Sequence, residues 1–360
     1  MDDLLVRVQR EIDAGLLPAC QLAIAKGGEL RTFETFGAAT NDNRFIIFSS
    51  SKAFVASAIW MLITEGELDI SRRVAELIPE FGDNGKQDIT IEQVLLHVAG
   101  FPSGFLNPFD WDDRTKRHEI LASWPLEWEP GSMYRYHALS SPWVQAALIE
   151  QITGTDFRAF IHDRITGPLG LKSFRLGVPI DDQADVKDLE TTGEPVTAAE
   201  LKEAWGVDEV PPTWLSQDLL LFLNDANVRT VGIPGGGGVS TAADVVMFYQ
   251  GLLASELWDP SVIERVTTTT ITMPDDLGVP TTRCLGIQAA GDSGYGWWYG
   301  FGKESSPRAF GHDGAGGQIA WANPETGVSF CYLTNGLDRN ILREKRRTLG
   351  IGSRAAKLEA

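Results

Sequence analysis

The order of residue patterns along the chain predicts an α+β fold. Both ends of the chain build one antiparallel sheet flanked by the terminal helices, and a helical lobe is inserted between them. Three observations lead there. Strand-like runs joined by a short turn open the chain, strand-like runs return near its end, and the middle is helical in pattern and broken by Pro/Gly loops. Strands joined by short turns pair antiparallel. With 360 residues, 43% of them hydrophobic, the chain is long enough to bury a large core in one domain over 1–360. Its α/β lobe is expected from 1–64 and 231–360, and its mostly helical lobe from 65–230.

Leu4, Leu5, Val8 and Ile12 fall on one helical face, and Gly15 closes that helix. Residues 20–26 and 29–36 read as two strands of a hairpin turning through Gly27-Gly28. A second helix is predicted from about 50 to 64, ending at Gly66. In the middle region, loops such as Phe101-Pro102-Ser103-Gly104 and Glu129-Pro130-Gly131 interrupt helical patterns. Residues 181–203 are polar and read as a surface excursion. After the glycines of 235–238, strands are expected at 309–312, 318–322 and 328–334, with a last helix starting near Asp338.

Formal net charge is −18, and the basic runs are short: Arg72-Arg73 and the tail residues 343–347. A nucleic-acid partner needs a basic patch, so none is expected. The acidity serves solubility and slightly disfavours anionic substrates on approach. Cys20, Cys284 and Cys331 are odd in number and far apart, which suggests neither a disulfide framework nor a metal site. They read as small buried hydrophobes. No other metal-ligand spacing occurs, and no cofactor is expected. The chain opens Met-Asp-Asp without the basic and apolar regions of a secretion signal. Its longest apolar stretch, 54–63, is too short to span a bilayer. A cytoplasmic protein with no membrane partner is the expectation; oligomeric state is not legible.

The strongest chemical signal is Phe48-Ser49-Ser50-Ser51-Lys52-Ala53-Phe54. Ser49 stands three residues before Lys52 at the start of an apolar helix, and residues i and i+3 share a helix face. A serine hydroxyl is a poor nucleophile until a base takes its proton, and a lysine does so only when burial or nearby positive charge lowers its pKa. Of the ten lysines, only Lys52 has serine three residues earlier. Taken alone, the three serines read equally well as helix caps. A second signal is Glu129-Pro130-Gly131 leading to Tyr136, a tyrosine able to act as acid or base toward a leaving group, or simply to anchor a loop. The third is Phe310-Gly311-His312-Asp313-Gly314-Ala315-Gly316-Gly317, a glycine cluster between strands that lets a substrate approach the backbone, or a tight hairpin turn. There the Ala315 N–H is a candidate oxyanion donor, and His312 and Gly314 are candidate substrate contacts.

Taken in order, Ser-x-x-Lys, a Pro-Gly…Tyr loop and His-x-Gly on a late strand resemble the serine β-lactamase-like superfamily. That group includes class C β-lactamases, D-alanyl-D-alanine carboxypeptidases and family VIII carboxylesterases. The segment Leu95-Leu96-His97-Val98-Ala99-Gly100, the run Gly167-Pro168-Leu169-Gly170-Leu171 and residues 235–244 extend the resemblance over nearly the whole chain. It implies a β-lactamase/transpeptidase-like fold and a serine hydrolase working through an acyl-enzyme. Ser49 would be the nucleophile, Lys52 its base, Tyr136 a proton relay, and the N–H groups of Ser49 and Ala315 the oxyanion hole. His97 would be a satisfied core histidine, and His118 and His162 surface residues.

Two departures from the family pattern bear on substrate. Ala138 stands where the second motif usually has Asn, the residue that holds an acylamino side chain. His312 stands where β-lactamases and peptidases usually carry Lys, so a fixed cation for a substrate carboxylate is missing. Both resemble the esterase branch. The reading is a carboxylesterase on short- to medium-chain esters, with acyl transfer open to the same intermediate. Its rivals are a β-lactamase or D-amino-acid peptidase/amidase, and a non-catalytic scaffold that keeps the fold. The expected partner is a small-molecule ester or amide.

Overall fold

A computed structural model describes residues 1–210 and 216–358. Its central element is an eight-stranded sheet, antiparallel throughout. The first two strands, β1 (Ala19–Lys26) and β2 (Glu29–Gly37), form the expected hairpin. Gly27 and Gly28, at φ 63° and 76°, take the left-handed conformations its tight turn requires. The other strands come from the far end of the chain: β3 (Ile271–Pro274), β4 (Pro280–Arg283), β5 (Gln288–Ala289), β6 (Phe310–Gly311), β7 (Ile319–Asn323) and β8 (Val328–Thr334). Spatial order is β2-β1-β8-β7-β6-β5-β4-β3, so β1 pairs with β8 and joins the two chain ends.

Period-2 alternation explains why β1 and β8 are apolar on both faces. Cys20, Leu22 and Ile24 with Phe330 and Tyr332 pack in one core with Leu4, Val8, Ile351 and Ala355 of the terminal helices α1 (Asp2–Asp13) and α5 (Ile341–Ala355). Ala19, Ala23 and Ala25 with Cys331 and Leu333 belong to the other core, which includes α2 (Ser51–Thr64), α3 (Ser140–Thr153) and α4 (Ala242–Ala254). All three cysteines are free and buried. Arg347 of α5, 1% exposed, reaches Glu11 of α1 at 2.8 Å and the buried Asp338 at 2.7 Å. That pairing ties the terminal helices together where an isolated charge would be costly.

Several elements depart from expectation. The last helix starts at Ile341 under an Asn340 cap, because Asp338 is drawn into a short parallel pairing of Gly336–Asp338 with Glu190–Thr192. The polar excursion of 181–203 therefore sends a strand and the buried Val186 and Leu189 into the fold. Helix α4 and strands β3 to β5 were not anticipated. Their strands are four residues or fewer, too short for periodicity to register. His118 is half-buried rather than at the surface, with Nδ1 3.6 Å from Glu80.

Helix α2 is apolar on every side, and residues 51–62 are all buried. A helix of that composition runs through the interior. Its N-terminus is consequently held inside the protein, where the functional site forms.

Candidate active site

Phe48–Ser50 forms a single 3-10 turn leading directly into α2. Phe48 has φ 46°, a left-handed conformation uncommon for a bulky residue and a place where backbone strain is stored. The three serines that follow divide by burial. Ser50 and Ser51 are fully buried, whereas Ser49 is partly open to the cleft. Ser50 Oγ donates to the His312 carbonyl (2.9 Å), and Ser51 Oγ accepts the Gly238 N–H (3.0 Å). These two hydroxyls fasten the turn to strands on either side and leave Ser49 to face the cavity.

Lys52, 2% exposed, donates to Ser49 Oγ (3.1 Å) and to the Gly235 carbonyl (2.6 Å). Gly235 permits this because a side chain there would meet the Ala138 carbonyl at 2.7 Å. Burial holds the Lys52 pKa well below the ordinary lysine value, and the Arg283 charge adds to the effect against the opposing Asp313 carboxylate. Tyr136 lies over the same group, its ring centroid 5.0 Å from Lys52 Nζ and its hydroxyl 3.5 Å from His312 Nε2. Burial raises the phenol pKa, so Tyr136 keeps its proton at neutral pH.

A cavity of about 280 Å³ opens over Ser49. Tyr136, Ala138, Gly314 and Ala315 line it together with Phe48 and Ser49. Ala315 begins a short turn in which Gly314 N–H and Gln318 carbonyl, and Gln318 N–H and Gly314 carbonyl, bond reciprocally at 3.1 Å. Gly314 must be glycine because a Cβ would come within 2.7 Å of the Ile47 carbonyl. The loop bearing Ala315 thus rests on the residue preceding the Phe48–Ser50 turn. Trp298 and Tyr299 reach the wall, as do Asp275, Asp276, Glu344 and Lys345.

His312 does not line the cavity. It is 1% exposed, Nδ1–H donates to the Asp313 carbonyl (2.7 Å), and Nε2 faces both the Tyr136 hydroxyl and Arg283 Nη1 at 3.5 Å. Burial and the neighbouring Arg283 keep it neutral. The expected direct contact of His312 with substrate is therefore replaced by a place behind Tyr136. His97 is buried, as expected for a core histidine, but only half satisfied. Its Nδ1 accepts the His137 N–H (3.1 Å), while Nε2 has no partner among the described residues.

Two residues of the site are marked by no sequence motif. His137 is buried and neutral, donating to the Arg135 carbonyl (2.6 Å) and accepting the Phe101 N–H (3.0 Å), which fixes the loop bearing Tyr136. Arg283 ends β4 with no exposure at all, its guanidinium 5.8 Å from the Tyr136 ring centroid. The available hint was an arginine at the edge of the apolar run Cys284-Leu285-Gly286-Ile287.

Among the described residues, no three His, Cys, Asp or Glu side chains are grouped to hold a metal ion, and no helix is long and apolar enough to cross a membrane.

A protein-family profile described as Beta-lactamase matches residues 7–351. The esterase/beta-lactamase LipL of Mycobacterium tuberculosis is 29% identical over 318 residues, which cover 82% of this chain and 70% of that protein. The structure superposes on a penicillin-binding protein homolog from Caulobacter crescentus with a TM-score of 0.79 at 24% identity, over 100% of this chain and 97% of that one. A family VIII carboxylesterase gives the same score at 22% identity, with coverage of 100% and 97%.

Proposed function

The chain belongs to the beta-lactamase family and is a serine hydrolase of that fold; from this premise we propose that it is a carboxylesterase acting through an acyl-enzyme on Ser49. Lys52 takes the Ser49 proton as the hydroxyl attacks the ester carbonyl. The N–H groups of Ser49 and Ala315 stabilise the tetrahedral oxyanion. Tyr136, with its phenol protonated, passes a proton to the departing alcohol and receives one from the water that releases the acid. A second alcohol in place of that water would give acyl transfer. The observation that carries this reading is the 3.1 Å contact between a partly open Ser49 and a buried Lys52 whose ammonium form is disfavoured.

Two features favour esters over amides and β-lactams. Ala138 presents a methyl group to the cavity at the position where the family motif places an amide. Leu139, Leu220, Leu223 and Ile233 supply apolar wall that suits an acyl chain. Small p-nitrophenyl esters, nitrocefin and a D-amino-acid amide, each assayed with the wild type and Ser49→Ala, test the proposal. The ester reading requires the highest kcat/KM on an ester, abolished in Ser49→Ala. A higher value on the amide or the cephalosporin overturns the ester assignment and leaves the nucleophile standing.

A further inference from the structure

His312 occupies the position where a lysine would give the site a permanent cation, yet the structure supplies one from another strand. Arg283 is fully buried, and its Nε and Nη2 have no hydrogen-bond partner among the described residues. Nη1 approaches His312 Nε2 at 3.5 Å, a nitrogen left without a proton once Nδ1–H is committed to the Asp313 carbonyl. Burying a guanidinium this poorly compensated costs stability, and no ion pair within contact distance accounts for it among the described residues. Its surroundings are the catalytic set. The Tyr136 ring has the Arg283 guanidinium 5.8 Å and the Lys52 amine 5.0 Å from its centroid.

Two basic groups addressing one partly buried ring, each itself buried, cannot both hold a proton cheaply. Guanidinium does not give up its proton in proteins, whereas a lysine amine does so readily when buried. The lysine therefore yields. We infer that Arg283 is a positioning residue for the proton-transfer step. It touches neither substrate nor Ser49, and its fixed charge behind Tyr136 and His312 holds Lys52 in the neutral form that accepts the serine proton. This rests on the assignment of Lys52 as base to Ser49. The other groups facing Lys52 act differently. Ser49, Tyr136 and the Gly235 carbonyl are uncharged, His97 and His312 are neutral and buried, and Asp313 opposes Arg283. Burial of Lys52 and the charge of Arg283 work in the same direction, so removing Arg283 removes only its share.

The test is the pH dependence of the second-order rate at which a fluorophosphonate labels Ser49, in the wild type, Arg283→Gln, Arg283→Met and Arg283→Lys. A base that must be neutral gives a labelling rate that rises with pH through its pKa. Removing the fixed cation raises that pKa, so Arg283→Gln and Arg283→Met should move the rising limb upward by about one pH unit, a loss of about tenfold at pH values below the wild-type midpoint that fades on the alkaline plateau. Arg283→Lys should keep most of the wild-type limb. Among the described residues Arg283 has no ion-pair partner to strand, so its replacement by an uncharged side chain leaves no buried counter-charge behind, and a wild-type limb at the ordinary lysine value overturns the inference whether or not the uncharged variants fold. A depressed wild-type limb left unmoved in a folded Arg283→Gln or Arg283→Met also overturns it, while labelling of Ser49 keeps the hydrolase assignment intact. Absence of labelling at every pH removes the nucleophile and the inference together.

Discussion

Three adjacent serines carry three different duties, and the differences are physical. Ser50 and Ser51 are buried with their hydroxyls committed to His312 and Gly238, whereas Ser49 is the one that meets both solvent and the Lys52 amine. Ser49→Ala should abolish fluorophosphonate labelling and turnover. Ser50→Ala and Ser51→Ala should keep labelling while losing about 1–3 kcal/mol of stability through unpaired buried partners; labelling that survives in Ser49→Ala sinks the assignment. Lys52 has its own prediction. Its pKa is depressed by burial and by Arg283, so activity should climb as pH rises through that lowered value and then level off. Lys52→Arg should be nearly inactive across the range, because guanidinium stays charged, and a Lys52→Arg protein with wild-type turnover would end the base role. Ala138 bears on selectivity. Ala138→Asn should raise acylation by a cephalosporin relative to ester hydrolysis, since a site gains discrimination for the polar group it can pair. An unchanged ratio of the two kcat/KM values would show that this position does not set substrate class.

Helix α5 shows what an element contributes beyond its own length. Through Arg347 it is tied to Glu11 of α1, and one turn earlier it lowers Glu344 into the cavity wall at 5% exposure. Burial raises the Glu344 pKa to about 7, against 4.5 for a free carboxyl. The folded state thus binds this proton more tightly than the unfolded chain, so the group contributes no penalty below about pH 4.5, and stability falls as pH rises toward 7. Glu344→Gln should accordingly flatten the loss in urea midpoint between about pH 5 and pH 8, with the gain confined to the upper end. An equal change at both pH values would mean that ionisation is not involved. How legible these elements were depended on how local their signal is. The β1–β2 hairpin, α2 and the Ser49–Lys52 spacing are written within a few residues of one another and could be read directly. Strand β4, with Arg283, could not: four residues carry no period, and the meaning of a buried arginine depends on a sheet register that brings it beside Tyr136, in a loop about 150 residues earlier in the chain. The pairing of Gly336–Asp338 with Glu190–Thr192 was hidden for the same reason.

At the scale of the whole molecule, charge and site geometry act on the same substrate. The chain carries a formal −18, and the cavity wall includes Asp275, Asp276 and Asp313, joined by Glu344 as it ionises around pH 7, against Lys345 as its cation. Asp276 is paired with Arg135 at 2.8 Å, which offsets part of that field. The buried Arg283 is a cation as well, but with no exposure it cannot contact a substrate anion from solution. Field lines of one sign converge in a cleft with low-dielectric walls, so a carboxylate-bearing substrate is repelled during approach whereas a neutral ester is not. Salt screens such long-range forces over about 10 Å at 0.1 M. Raising ionic strength from about 10 mM to about 150 mM should therefore increase kcat/KM for a carboxylate-bearing ester or a cephalosporin, chiefly through KM, and leave neutral p-nitrophenyl esters nearly unchanged. The neutral ester serves as the control for any salt effect on folding or on Ser49 itself. If both substrates respond alike, the acidity of the molecule plays no part in substrate choice, and selectivity has to be sought in short-range contacts such as Ala138; if the anionic substrate instead weakens with added salt, Lys345 attracts it more strongly than the surrounding carboxylates repel it.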